Sequence, residues 1–221
     1  MPLRGFSLDG GGRRGLRRTV HDVERAGTTF EIVPPEQVAS LMPELEAVSD
    51  DWLAAKRTRE KGFSLGFFDP MYLTNFPIAV ARRGGVVVAF ANIWTSEAKY
   101  SASADLMRFS SDAPRGVMEY LFVKLILWAR DAGYAIFDLG MAPLSGFESR
   151  ALAPAWQRLG SIVYRHGEHF YHFRGLRQYK EKFDPEWEPR YLAAPGGLAM
   201  PRVLTNVTAL VSGGLAGVVR K

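Results

Sequence analysis

The 221-residue chain contains no cysteine. That excludes disulfides, thiolate metal sites and cysteine nucleophiles, and it suits a reducing compartment. Histidine is scarce: His21, His166, His169 and His172 are the only four. They are too few for most metal cages, and no metal is expected. No run of about 18 uncharged apolar residues occurs, and the N-terminus lacks the apolar stretch of a signal peptide. The chain reads as neither spanning nor obviously exported. Gly10-Gly11-Gly12 lacks the preceding strand and the Gly-Lys-Ser/Thr ending of a phosphate loop. Neither a Gly-x-Ser-x-Gly elbow nor a His-Glu-x-x-His helix is present, so serine-hydrolase and zinc-hydrolase chemistry are not expected.

What remains is an ordinary globular composition, 47% hydrophobic and 23% charged, long enough to bury a substantial core. The net charge of +5 is uneven. Residues 1–25 and 195–221 each carry +3, and the stretch between them carries −1. Basic ends on a near-neutral body suit a polyanion, either an anionic lipid surface or nucleic acid, unless they are simply solvated.

Leu16, Val20 and Val23 recur at i, i+4, i+7 in a basic segment that stops near Gly27, which predicts a short helix with one apolar stripe. Thr28–Val33 is β-branched and reads as a strand. This helix and strand look like the tail of a unit beginning further upstream, so residues 1–34 are expected to be the remnant of a first half. Val38, Leu41, Leu45, Val48, Trp52 and Leu53 set a long helix over 36–60. Apolar runs 77–83 and 86–94 around Gly84-Gly85 predict a hairpin. Strands are expected at 100–109, 134–139, 161–165 and 169–173, and helices at 115–132 and 176–183. The sum is an α/β (α+β) domain over 35–195. Residues 196–221 form an amphipathic segment that lies on a membrane surface or packs on the domain.

Between the 100–109 strand and the following helix the turn reads Ser110-Ser111-Asp112-Ala113-Pro114-Arg115-Gly116. An acetyl-CoA transferase places an Arg/Gln-x-x-Gly-x-Gly/Ala turn there, whose amides hold a pyrophosphate. One Arg-Gly pair survives, so coenzyme A is not expected. Lys61-Gly62-Phe63-Ser64-Leu65-Gly66, Asp105-Leu106-Met107-Arg108, Leu139-Gly140-Met141-Ala142-Pro143-Leu144-Ser145-Gly146, and Gly175-Leu176-Arg177-Gln178-Tyr179-Lys180-Glu181-Lys182-Phe183 followed by Trp187-Glu188-Pro189-Arg190-Tyr191-Leu192 occur in that order. Together they resemble the C-terminal cytosolic aminoacyltransferase domain of the phosphatidylglycerol lysyltransferase, or multiple peptide resistance factor, family. The resemblance runs from about Phe6 to the C-terminal Gly-Gly-Leu-x-Gly.

The resemblance implies an acetyltransferase-like (GNAT) mixed, mostly antiparallel sheet flanked by helices, the second half of a tandem pair. It also implies transfer of lysine or alanine from aminoacyl-tRNA to the glycerol hydroxyl of phosphatidylglycerol, without a cofactor, at the cytoplasmic face of the bacterial inner membrane. An upstream polytopic membrane region often precedes the domain in family members. Such a reaction starts from an activated ester and needs positioning, a proton acceptor and oxyanion stabilisation, but no nucleophilic side chain. Two alternatives share its logic in part: a related transferase acting on a peptidoglycan precursor, and a non-catalytic module that binds anionic lipid or tRNA.

Asp105, Arg108, Glu168 and Lys180 are the candidate catalytic residues. Asp105 would hold the substrate amino group and Arg108 a phosphate or the oxyanion. Strand alternation puts the two on opposite faces, so a bulge or turn is required to bring them together; a structural ion pair is the bland reading. Glu168, between His166 and His169, could serve as a tuned acid or base, or sit on a solvated edge strand. Lys180 with Arg177, Lys182 and Tyr179 forms a basic-aromatic segment suited to a lipid phosphate or the tRNA acceptor end, although nearby acids also permit a salt-bridged surface helix. Glu119 is a substrate-binding candidate whose default role is an i, i+4 pair with Arg115. Met141 and Ser145 lie in a loop read as a pocket wall.

Overall fold

The computed structural model describes residues 1–56, 66–142 and 173–191, with a few positions beyond. Ser145, Glu168, the expected strand at 161–165, that at 169–173 except for Phe173, which begins a helix instead, and most of the C-terminal segment lie outside them. The elements are α1 (Arg14–Arg25), β1 (Thr28–Val33), α2 (Pro35–Lys56), α3 (Pro70–Leu73), β2 (Ile78–Arg83), β3 (Val86–Thr95), a 3₁₀ turn (Glu97–Lys99), β4 (Ser101–Phe109), α4 (Val117–Asp131), β5 (Ile136–Asp138) and α5 (Phe173–Glu181).

The strands form one sheet in the order β1-β2-β3-β4-β5. Neighbours are antiparallel except β4 and β5, which are parallel and therefore need the α4 crossover. This is the mixed, mostly antiparallel arrangement that the resemblance implied. The β2–β3 connection is the tight turn expected at Gly84-Gly85; both residues have positive φ, +59° and +85°, the condition for a two-residue turn that matches strand twist. Residues 1–34 share one sheet and one core with the strands and helices C-terminal to them: β1 pairs along all of β2, and Leu16, Val20 and Val23 of α1 are buried with α4.

Two apolar layers cover the sheet. On one face Ala79, Ala81, Ala89, Ala91 and Ala102 make room for Tyr120, Leu121, Leu125 and Ile126 of α4. On the other, Ile78, Val80, Phe90 and Leu106 meet Val38, Leu41, Leu45 and Val48 of α2. Small residues under the bulkier helix and large ones under the other keep both layers close-packed. Among the described residues no helix is long and apolar enough to cross a membrane.

Two short elements were not predicted. The helix α3 starts on Asp69, whose carboxylate accepts the Tyr72 N–H at 3.1 Å, with Pro70 in the first turn. Four residues are too few to show a period, and only this cap signature announces it. The 3₁₀ turn carries Ala98 and Lys99 at positive φ, a conformation that no local sequence rule would assign to them.

Candidate active site at the end of the β4–β5 pairing

The β4–β5 pairing ends at Ser103↔Asp138. Beyond it β4 runs on with Asp105 and Arg108, and the chain leaving β5 runs on through Gly140 and Met141, against which Lys180 lies. On β4, Ala91 pairs with Met107 and Ile93 with Ala104, so Asp105-Leu106 oppose the single residue Asn92. This is a β-bulge, and it reverses the alternation. Ala104 and Met107 both pack on the α4 side, whereas Leu106 packs on the α2 side. Asp105 and Arg108 consequently face the same layer, meeting the requirement set by their spacing. Asn92, fully buried, locks the bulge by accepting the Leu106 N–H at 2.7 Å.

Asp105 accepts the Gly66 N–H at 2.9 Å and the Tyr72 hydroxyl at 2.8 Å, one on each carboxylate oxygen. Tyr72 in turn accepts the Trp94 indole N–H at 2.9 Å. Burial raises the Tyr72 pKa, and the hydrogen bond to the Asp105 carboxylate raises it further. A Cβ at position 66 would lie 2.6 Å from both Asp105 Oδ2 and the Leu106 nitrogen, so only glycine lets this backbone approach the carboxylate.

Arg108 is 4% exposed. Its guanidinium donates to Ser49 Oγ at 2.6 Å and lies 4.9 Å from the Trp52 ring centroid. Both partners belong to α2, so the cation sits between the sheet and that helix.

Lys180 stands on the β5 side of the opening. Its ammonium donates to the Met141 carbonyl at 2.8 Å and would lie 3.5 Å from a Cβ on Gly140. Burial lowers its pKa from 10.5 to about 8, with Asp138 pulling the other way. A cavity of about 50 Å³ adjoins it, lined by Asp138, Gly140, Glu186 and Trp187 among others; it has room for a water molecule or two. A larger groove of about 660 Å³ runs between α2 and the β2–β3 turn, and none of these candidates lines it.

Three of the remaining candidates are tied to one another. Glu119 accepts from Lys182 at 2.7 Å, and the Lys182 ammonium lies 5.2 Å from the Tyr179 ring centroid. Tyr179 packs edge-on against Phe122 and Phe183. Its phenol is pushed up by burial and by the Glu119 charge, and its hydroxyl meets no hydrogen-bond partner among the described residues. Arg177 pairs with Glu181 at 2.9 Å and lies over Trp187. The side chain of Met141 is exposed, while its backbone holds Lys180. Tyr72, Asn92, Trp94 and Ser49 carry the site geometry and were not singled out from the sequence.

Comparison with known proteins places the fold in a family. Residues 1–194 match the family described as "Phosphatidylglycerol lysyltransferase, C-terminal". A phosphatidylglycerol lysyltransferase of Bacillus subtilis (strain 168) is 39% identical over 211 residues, 95% of this chain and 24% of the relative. One from Staphylococcus xylosus is 37% identical over 191 residues, covering 86% of this chain and 22% of the relative. The chain thus spans about a quarter of the length of these curated relatives. Among solved structures, the C-terminal DUF2156 domain of an Agrobacterium fabrum protein designated a lysylphosphatidylglycerol synthetase superposes with a TM-score of 0.82 at 48% identity, over 97% of this chain and 64% of that one. The L-PGS of Bacillus licheniformis gives 0.78 at 39% identity, over 95% and 63%. The chain belongs to the phosphatidylglycerol lysyltransferase C-terminal family.

Proposed function

We propose that the chain is the transferase module of an aminoacyl-tRNA-dependent phosphatidylglycerol aminoacyltransferase. It moves lysine or alanine onto the glycerol hydroxyl of the lipid at the cytoplasmic face of the membrane. The observation that carries this reading is the bulge opposite Asn92, which turns Asp105 and Arg108 to one layer on the stretch of β4 beyond its last pair with β5. Lys180 lies at the same end, on the β5 side.

In this reading Asp105 receives the ammonium of the aminoacyl group on the lone pairs that Gly66 and Tyr72 leave open. Neutral Lys180 takes the proton of the lipid hydroxyl as its oxygen bonds to the ester carbonyl carbon. The resulting oxyanion collapses, the carbon–oxygen bond to the tRNA ribose breaks, and the ribose oxygen recovers the proton from Lys180. The buried charge of Arg108 biases this layer of the site toward developing negative charge; an oriented donor or charge of this kind is worth about 3 kcal/mol in a barrier. The donor ester is already activated, so no covalent enzyme intermediate is required.

A coenzyme A cofactor has little support from the turn that would cradle it. The Ser111 N–H is taken by Asp51, and the Ala113 and Val117 N–H groups by Ser110 and Pro114 carbonyls. The Glu119 carboxylate follows in the first turn of α4. These three amides are spent before a pyrophosphate could use them.

The test mixes the chain with labelled lysyl-tRNA or alanyl-tRNA and phosphatidylglycerol vesicles, then extracts the lipid. A labelled aminoacyl lipid, lost in Asp105→Ala and Lys180→Ala, is the expected result. Label appearing instead on a peptidoglycan precursor, or vesicle binding without transfer, would replace this reading by one of its two alternatives.

A further inference from the structure

The hydrogen bonds around Asp105 leave no freedom in where their protons lie. An indole N–H only donates and an ionised carboxylate only accepts. The Trp94 proton must therefore point at the Tyr72 oxygen, and the Tyr72 proton at Asp105 Oδ2. Asn92 is oriented in the same way: the Leu106 N–H can only donate, so Oδ1 faces it and Nδ2 is left as a donor. That nitrogen is fully buried and has no hydrogen-bond partner among the described residues. The Tyr72 oxygen thus receives the indole proton and directs its own to the carboxylate.

The rings hold this arrangement from outside. Tyr72 stacks on Phe67 at 6.0 Å with 10° between the planes and tilts against Phe76 at 4.8 Å. Phe76 meets Trp94 at 6.4 Å. Removing the Tyr72 hydroxyl alone would leave this packing in place, so its polar role can be separated from its bulk.

We propose that Tyr72 is a positioning residue, which with Trp94 behind it fixes the plane of the Asp105 carboxylate and so aims its open lone pairs at the incoming ammonium. The inference rests on the reading of Asp105 as the ammonium-binding group. Gly66 pins the other oxygen, and two donors from separate segments leave the carboxylate one orientation. A hydrogen bond in such a chain polarises the next, so a change at one end is felt at the other.

The experiment reads the Trp94 indole N–H resonance in ¹H–¹⁵N spectra of the full chain, assigned by its absence in Trp94→Phe. Asp105→Asn replaces a charged acceptor by a neutral one and is expected to move that resonance, although among the described residues Asp105 and the indole are linked through Tyr72 alone. Tyr72→Phe is expected to move it further and to abolish the response to Asp105→Asn in the double variant. In the transfer assay Tyr72→Phe should lower kcat/KM about 10- to 100-fold, carried largely by KM for the aminoacyl donor. An indole resonance indifferent to Asp105→Asn overturns the inference. So does wild-type transfer by Tyr72→Phe beside an impaired Asp105→Asn, an outcome that leaves the reading of Asp105 intact. Wild-type transfer by Asp105→Asn instead overturns that reading, and the positioning role with it.

Discussion

Lys180 makes stability depend on pH in a direction opposite to a lysine held in an ordinary ion pair. The residue is 7% exposed, and burial brings its pKa down from 10.5 to about 8 in spite of Asp138. The unfolded chain therefore holds this proton more tightly than the folded one, and stability rises with pH between about 8 and 10.5. Well below pH 8 both states are protonated and the cost is constant. A displacement of this size corresponds to about 3 kcal/mol, reduced to roughly 2 kcal/mol by the solvent that reaches the adjoining cavity. Lys180→Met keeps the length and removes the charge. Paired urea unfolding of the two proteins from pH 7 to 10.5 cancels every titration they share. The expected result is a variant more stable than wild type at pH 7, with the gap closing by roughly 2 kcal/mol as pH passes through the window. A gap independent of pH would show that the ammonium is not desolvated. The same pKa makes about one amine in ten neutral at pH 7 and half at pH 8. Transfer that depends on a neutral Lys180 should rise about fivefold from pH 7 to pH 8, before levelling.

Two further substitutions test the packing. Gly66→Ala would drive a methyl against the Leu106 backbone and Asp105; we expect a loss of about 1–3 kcal/mol, read as a Tm lower by several degrees, together with impaired transfer. An unchanged melting curve would mean that the segment relaxes freely. Tyr179→Phe removes a hydroxyl that is buried without a partner among the described residues, and a rise in stability of about 1 kcal/mol is expected in denaturant unfolding. A loss of that size would reveal a partner for the hydroxyl.

The regular elements were legible because their periods are long or their punctuation strong. The α1 stripe, the Thr28–Val33 strand and the Gly84-Gly85 turn are all found where the sequence puts them. The site was legible only in its charges. Asp105, Arg108 and Lys180 can be named from motifs, but the arrangement that joins them depends on contacts distant in the chain. The bulge did leave a trace: apolar residues on the α4 side sit at Ala102 and Ala104, then at Met107 and Phe109. That switch of parity within one strand marks an inserted residue. Gly66 gives no such trace, since its need for a missing Cβ comes from residues 39 and 40 positions later. Lys180 reads as one of several basic residues on a solvated helix; its burial follows only once the Met141 backbone lies against it.

The central claim is direct transfer between two substrates held by fixed charges, without a covalent enzyme intermediate. Intact-mass spectrometry of the chain, quenched during a single turnover with lysyl-tRNA and phosphatidylglycerol vesicles, tests it. The account predicts that lysyl lipid accumulates while the protein mass stays unchanged at every time point. A lysyl adduct on the protein that forms and decays ahead of the lipid product would contradict it.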